Sequence, residues 1–387
     1  MSPGLPRRLA RRIARTLLLS LLTAATIFTF SMQGLAQGTA LTPVAGPVPL
    51  QVGWYLIPNT ALASNCADAP EIHGVEGCRA IIDDWGSALA DTKRNWLVLW
   101  GGGHNAYYGN EMYAVDLKAP SLRRLTEPSS GSSLSNLPSC PEAYADGKPN
   151  ARHAYNGLQY LSKYDRYFVW GAGLSPCGNF TNVAWIWDPS SMRWSRTSPA
   201  RHPNPAQNGS IPLTSYDPVS GAIFEMEANT GIFWKYEVPS DNWTDLGRIF
   251  ACGRLNLTSS IDPKTRSYFC VGNGVFDRIK IDGSPKVTHL KASGCNELRA
   301  AAGPGFDYDP ARNQMVGWAG NGSVYLYDST LDACTRREFP GGPGPQQPNG
   351  TFGRFRYFPD LGIFALVNDA SQNAYVLRLA LPPAERH

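Results

Sequence analysis

Trp100-Gly-Gly-Gly-His104-Asn-Ala-Tyr-Tyr-Gly-Asn-Glu111-Met-Tyr-Ala-Val-Asp116 reads as one strand end, a glycine-rich turn and a second strand. The apolar run Trp96 to Trp100 supplies the first strand, and the alternation up to Asp116 supplies the next. Between them the turn carries His104, Tyr107 and Tyr108.

Weaker copies recur along the chain. A turn led by Asp91, Leu161, Asp217, Asp262, Asp309 or Phe358 is followed ten residues later by a strand end at Gly101, Gly171, Glu227, Gly272, Ala319 or Asn368. A third strand follows in every copy, ending at Asp116, Asp188, Glu237, Asp282, Asp328 and Leu379, and a fourth follows in five copies. Six units of four short strands, spaced by 45 to 49 residues in the later copies, predict an all-β chain folded as a β-propeller. Six blades is the reading and seven the alternative. The sixth unit runs out of chain before its fourth strand. Val52-Gly-Trp-Tyr-Leu-Ile-Pro58 supplies that strand in the predicted ring, which removes two exposed sheet edges at once.

The glycine-rich strand end, the N-E-x-Y-x-x-D strand and the Trp-containing strand resemble kelch repeats of the galactose-oxidase-like propeller superfamily. The resemblance spans residues 48 to 380. It implies a fold and leaves the activity open, because propellers host unrelated functions. The copper-radical site of that superfamily needs a Tyr followed directly by His, and no such pair occurs here.

Composition agrees with strands and turns, since 17% charged residues accompany 38 Gly and 31 Pro. Residues 1–36 read as a signal peptide: Arg7, Arg8, Arg11, Arg12 and Arg15, an apolar run, then Gly34-Leu-Ala36 as a cleavage site. Residues 37–47 follow as a flexible segment, residues 48–380 form the single propeller domain, and 381–387 are a tail. Removing the leader's five arginines leaves 30 basic against 31 acidic residues, so nucleic-acid binding loses its support. The chain is expected to be secreted or periplasmic, off the membrane after cleavage, and monomeric. All eight cysteines lie in the mature part, and sequence neighbours suggest Cys66–Cys78, Cys140–Cys177, Cys252–Cys270 and Cys295–Cys334. No C-x-x-C pair supports a zinc site, no metal site is assigned, and no cofactor is identified.

In a four-stranded blade, the loop between strands two and three shares one end with the entry to strand one of the next blade. His104, Asn105, Tyr107 and Tyr108 occupy the first kind of loop; Arg152, His153, Tyr155 and Asn156 occupy the second. Counting back from the other turns places Asn208, Arg254 with Asn256, Arg299 and Asn349 at equivalent entries, with Arg354 and Arg356 a little further in. Guanidinium groups gathered in one funnel repel each other unless an anion or internal acids such as Glu111 and Glu297 offset them. Residues 128 to 151 form the longest connection, read either as a lid or as an insertion tied down through Cys140.

These residues suggest a carbohydrate ligand, anionic if the arginines face it. A lyase acting on a uronate needs a carboxylate-neutralising cation, a base and an acid. Arg152, Arg254, Arg299 and Arg354, with Asn105 and Tyr107, would bind substrate, while His104, Tyr108, His153 and Tyr155 would carry the proton transfers. Some secreted propeller polysaccharide lyases are similar in using His, Tyr and Arg in a funnel. The alternative is a non-catalytic propeller that binds a glycan or a protein.

Overall fold

A computed structural model describes residues 48–380, apart from 50, 68, 131–133, 135–136, 138, 200–210 and 229. The expected signal peptide, the 37–47 segment, the tail and the strand-entry residue Asn208 lie outside the described residues. Six antiparallel sheets of four strands each follow one another along the chain. Five are built from consecutive strands. The sixth takes Phe355–Phe358, Ile363–Leu366 and Tyr375–Arg378 from the C-terminal end and Gly53–Leu56 from the N-terminal end. The chain is a six-bladed β-propeller.

The innermost strands are Ser87–Asp91, Leu158–Leu161, Thr214–Asp217, Thr258–Asp262, Gly305–Asp309 and Phe355–Phe358. They pack side by side around a ring, each against its neighbours in sequence, with the sixth returning to the first. Each ends on the turn residue that the sequence singled out. The aspartates there accept hydrogen bonds from turn amides: Asp217 from Val219 and Ser220, Asp262 from Lys264 and Thr265, Asp309 from Ala311 and Arg312. This is Asx-turn chemistry, which tightens a two-strand connection without a glycine.

Apolar side chains fill the spaces between blades. Tyr113, Trp185, Trp187, Trp234 and Tyr325 on the third strands are all buried there. Tryptophans closing three second strands repeat one device. The indole N–H of Trp100 donates to Asn110 O (3.0 Å), that of Trp170 to Thr181 O (3.2 Å) and that of Trp318 to Asn321 O (2.9 Å). Each bond fixes a loop between strands two and three. Gly103 permits a close approach of two blades: a Cβ there would lie 2.3 Å from Arg152 Cα. The glycine-rich turn therefore lets blade one meet the entry of blade two.

The four expected cysteine pairs all form, with Cα–Cα separations of 5.1 to 6.2 Å. Their number fits an oxidising compartment. No helix among the described residues is long and apolar enough to cross a membrane. The long connection before blade two is an insertion tied down. Cys140 bonds Cys177, and Glu142 accepts from Arg152 (2.7 Å), from the Trp185 indole (2.8 Å) and from the Thr181 hydroxyl.

Ring closure rests on Gly53–Leu56 pairing antiparallel to Tyr375–Arg378, from Gly53 opposite Arg378 to Leu56 opposite Tyr375. Trp54 in that strand is buried and donates its indole N–H to Gly322 O of blade five at 3.1 Å. Trp54→Ala is expected to destabilise the fold by about 3–5 kcal/mol, the usual cost of deleting a buried tryptophan. Equilibrium denaturation measures this, and a loss below about 1 kcal/mol would mean that the N-terminal strand does not hold the ring shut.

Candidate functional site

One backbone position recurs at the entry to the inner strands, six residues before each turn residue. Reading blades one to six, it holds Trp85, Tyr155, Ile211, Asn256, Gly303 and Phe352. Five of these six have left-handed backbone, with φ of 50°, 45°, 55°, 52° and 47° for Trp85, Tyr155, Asn256, Gly303 and Phe352. The conformation links neighbouring blades. Tyr155 N–H donates to Trp85 O (2.7 Å), Gly303 N–H to Asn256 O (2.6 Å) and Phe352 N–H to Gly303 O (2.9 Å).

Glycine and asparagine adopt this backbone at little cost, whereas a bulky side chain there costs about 1–3 kcal/mol. Blades four and five carry the inexpensive residues. Blades six, one and two, which are adjacent in the ring, carry Phe352, Trp85 and Tyr155. His104, in the loop of blade one, is also left-handed at φ 47°. Among the described residues these four are the only aromatic or histidine residues with positive φ. They meet around His153.

Trp85 lies against the His153 ring with centroids 4.9 Å apart. His104 approaches it edge-on at 6.0 Å, as does Tyr155 at 6.0 Å. Phe352, itself fully buried, packs on Tyr155 at 5.7 Å, so that these rings form one cluster at the entries of the inner strands. His104 is exposed, Trp85 half-buried, and His153 and Tyr155 buried. Nε2 of His153 is buried and has no hydrogen-bond partner among the described residues. Burial, and then the neighbouring His104, lower the His153 pKa to about 4, so its ring is neutral at physiological pH. Burial pushes the Tyr155 hydroxyl well above its usual range.

Acidic side chains lie beside this cluster, Asp83 among them paired with Arg79 at 3.2 Å. Asp84, next to Trp85, is raised to about 6 by burial and then by Glu76 and Asp83, against a stabilising hydrogen bond from Asn349. Asn349 also donates to Asp83 O at 2.9 Å, and Gln347 to Asp83 Oδ1 at 2.8 Å.

The structure thus brings His104, His153 and Tyr155 together and leaves the other expected residues elsewhere. Tyr107 is fully buried, with its hydroxyl 2.5 Å from Ala67 O and 2.6 Å from Glu111 Oε1. Tyr108 is buried and donates to Asn105 Oδ1 at 2.7 Å, which ties Asn105 down although that residue is exposed. Arg152 does not face a funnel: it is fully buried and held by Glu142 Oε1 (2.7 Å) and Asn150 O (2.9 Å). Arg354 is likewise fully buried, donating to the carbonyls of Gly86, Gly350, Val367 and Asn368. Arg254 and Arg299 instead line a groove of about 580 Å³ between blades three and four, with Arg248 and Phe250. The only cluster of metal-type ligands among the described residues is Cys252, Cys270 and Asp277, and its two cysteines are joined to each other.

Trp85, Asp84 and Phe352 are the residues that the sequence reading missed. Their signal was the shared position six residues before the turn, where aromatic residues stand in place of the glycine and asparagine of blades four and five.

No protein-family model and no curated protein matches the chain. Solved structures share its fold. A structural genomics protein of unknown function from Bacteroides thetaiotaomicron aligns with a TM-score of 0.51 at 10% identity, over 85% of this chain and 76% of that one. An auxiliary nutrient binding protein from Bacteroides ovatus aligns with a TM-score of 0.53 at 10% identity, over 84% of this chain and 77% of that one. Both likenesses are of fold.

Asp84 gives this site a pH signature. Its folded pKa near 6 exceeds the ordinary 3.8, so the folded state holds the proton more tightly, and ionisation costs stability as pH rises from about 4 to 6. His153 acts oppositely: with a folded pKa near 4, it loses stability as pH falls from 6.5 toward 4. Asp84→Asn should therefore be more stable than the unmutated protein at pH 7.5, with the difference vanishing below about pH 4. Urea denaturation at both pH values measures it, and an equal difference at the two would contradict the burial of this carboxyl.

Proposed function

We propose that this chain is an extracytoplasmic glycan-binding propeller whose recognition site is the ring cluster of Trp85, His104, His153 and Tyr155, backed by the buried Phe352, and that its ligand is an uncharged sugar. The observation that carries this reading is the placement of three large aromatic residues at left-handed repeat positions that blades four and five fill with asparagine and glycine. A backbone cost of that kind is maintained where the side chains are needed.

Aromatic faces pack against the C–H faces of a pyranose, while buried polar atoms orient its hydroxyls. Nε2 of His153 and the carboxyl of Asp84 supply such atoms beside the Trp85 and Tyr155 rings. An acidic rim disfavours a uronate and suits neutral hydroxyls. The Bacteroides ovatus neighbour, an auxiliary nutrient binding protein, points in the same direction.

A polysaccharide lyase is the second reading, favoured by the contact of His104, His153 and Tyr155. It lacks its electrostatic partner, since Arg152 and Arg354 are engaged internally. A His153 pKa near 4 also makes that ring a weak base at neutral pH.

Neutral oligosaccharides screened by calorimetry should yield a saturable ligand, and His104→Ala should weaken it about tenfold or more, in the range of losing one contact at a desolvated site. Alginate, pectate, ulvan and glucuronan should give no unsaturated product by absorbance. Turnover of any of them, abolished by His104→Ala, would replace the binding reading with the lyase.

A further inference from the structure

Four arginines are buried among the described residues: Arg152, Arg354, Arg356 and Arg378. Three have close acceptors. Arg152 reaches Glu142 at 2.7 Å, Arg354 reaches Val367 O and Asn368 O at 2.8 Å, and Arg378 reaches Pro49 O and Leu361 O at 2.8 Å. Arg356 does not share this. Its Nη2 lies 3.4 Å from Leu158 O, its Nη1 lies 3.8 Å from Asp307 Oδ1, and its Nε has no partner. The Asp307 oxygens are engaged instead by the Ser260 hydroxyl (3.0 Å) and the Tyr357 amide (2.9 Å). A buried guanidinium with five donors and no good acceptor is costly unless something else supplies one.

Arg356 sits on the inner strand of blade six and reaches toward the inner strand of blade two, so it crosses the central channel. It lines a cavity of about 310 Å³ that opens among the turns joining strands one and two, on the face opposite the aromatic cluster. Four tyrosines surround this opening at matching repeat positions, one residue before the turn: Tyr160, Tyr216, Tyr308 and Tyr357. Hydrogen bonds to Asp165 (3.0 Å) and Asn313 (2.7 Å) tie the Tyr160 and Tyr308 hydroxyls to turn residues of their own blades.

We propose that this second mouth of the channel binds a small organic carboxylate, with the carboxylate on Arg356 and an apolar body among the four tyrosines. Arg356 supplies the charge and the open donors. Asp307 fixes the approach by occupying one side of the guanidinium, and the volume limits the ligand to about the size of one aromatic acid. The site is independent of the glycan site, because it lies at the other end of the channel and shares no residue with it.

The test uses the mature protein, with benzoate as the probe and benzyl alcohol as its uncharged counterpart, by calorimetry at fixed ionic strength. Benzoate should bind with one site per chain, and benzyl alcohol about tenfold more weakly or worse. Arg356→Gln should abolish the preference. Tyr308→Glu, a half-buried rim position, covers the case in which Arg356→Gln fails to fold: charge repulsion should weaken benzoate about tenfold more than it weakens benzyl alcohol, which loses only the ring contact. Arg254→Ala, in the groove between blades three and four, should leave benzoate binding intact. Equal binding of the two probes, no benzoate binding at millimolar concentration, or benzoate binding lost in Arg254→Ala but kept in Arg356→Gln would each overturn the proposal.

Discussion

The propeller depends on how each inner strand is entered. In blades two, five and six a residue in left-handed conformation hands its N–H to the carbonyl of the same position in the preceding blade, as Tyr155 does to Trp85 and Phe352 to Gly303. That bond requires the unusual φ, and the unusual φ requires glycine, asparagine or a side chain whose presence outweighs about 1–3 kcal/mol. Pairing of Gly53–Leu56 with Tyr375–Arg378 closes the ring and places blade six beside blade one. Only then do Phe352, Trp85 and Tyr155, from both ends of the chain, share one mouth.

Much of this was legible in the sequence. The turn residues Asp91, Asp217, Asp262 and Asp309 mark strand ends because a side-chain carboxylate and a tight turn are local chemistry, readable within four residues. The N-terminal strand was legible because a sixth blade one strand short leaves an open edge. His104, His153 and Tyr155 were legible as residues that two converging loops bring to one face. Trp85 was not, since a tryptophan before a first strand looks like any other packing residue until its backbone angle is known.

The arginines show where such reasoning ends. Loop position places Arg152 and Arg354 at the funnel, and chain position is correct; side-chain direction is what differs. Arg152 turns to Glu142, which lies in the long insertion stapled by Cys140–Cys177, and Arg354 turns to four backbone carbonyls. Glu142 lies only ten residues before Arg152, and of the Arg354 acceptors only Gly86 O is brought there by the closed ring. With these cations internal, the acids beside the mouth are Asp84 and its neighbours, which is why the proposed ligand is uncharged.

The central claim is that aromatic side chains occupy left-handed positions for the sake of a ligand. Trp85→Asn, which gives blade one the residue that blade four already carries, tests it most directly when denaturation and glycan binding are measured on the same variant. The account predicts stability unchanged to within about 1 kcal/mol, because relief of backbone strain offsets the lost packing of a half-buried ring, together with loss of glycan binding. A loss of about 3–5 kcal/mol with binding retained would contradict it, and would make Trp85 a packing residue.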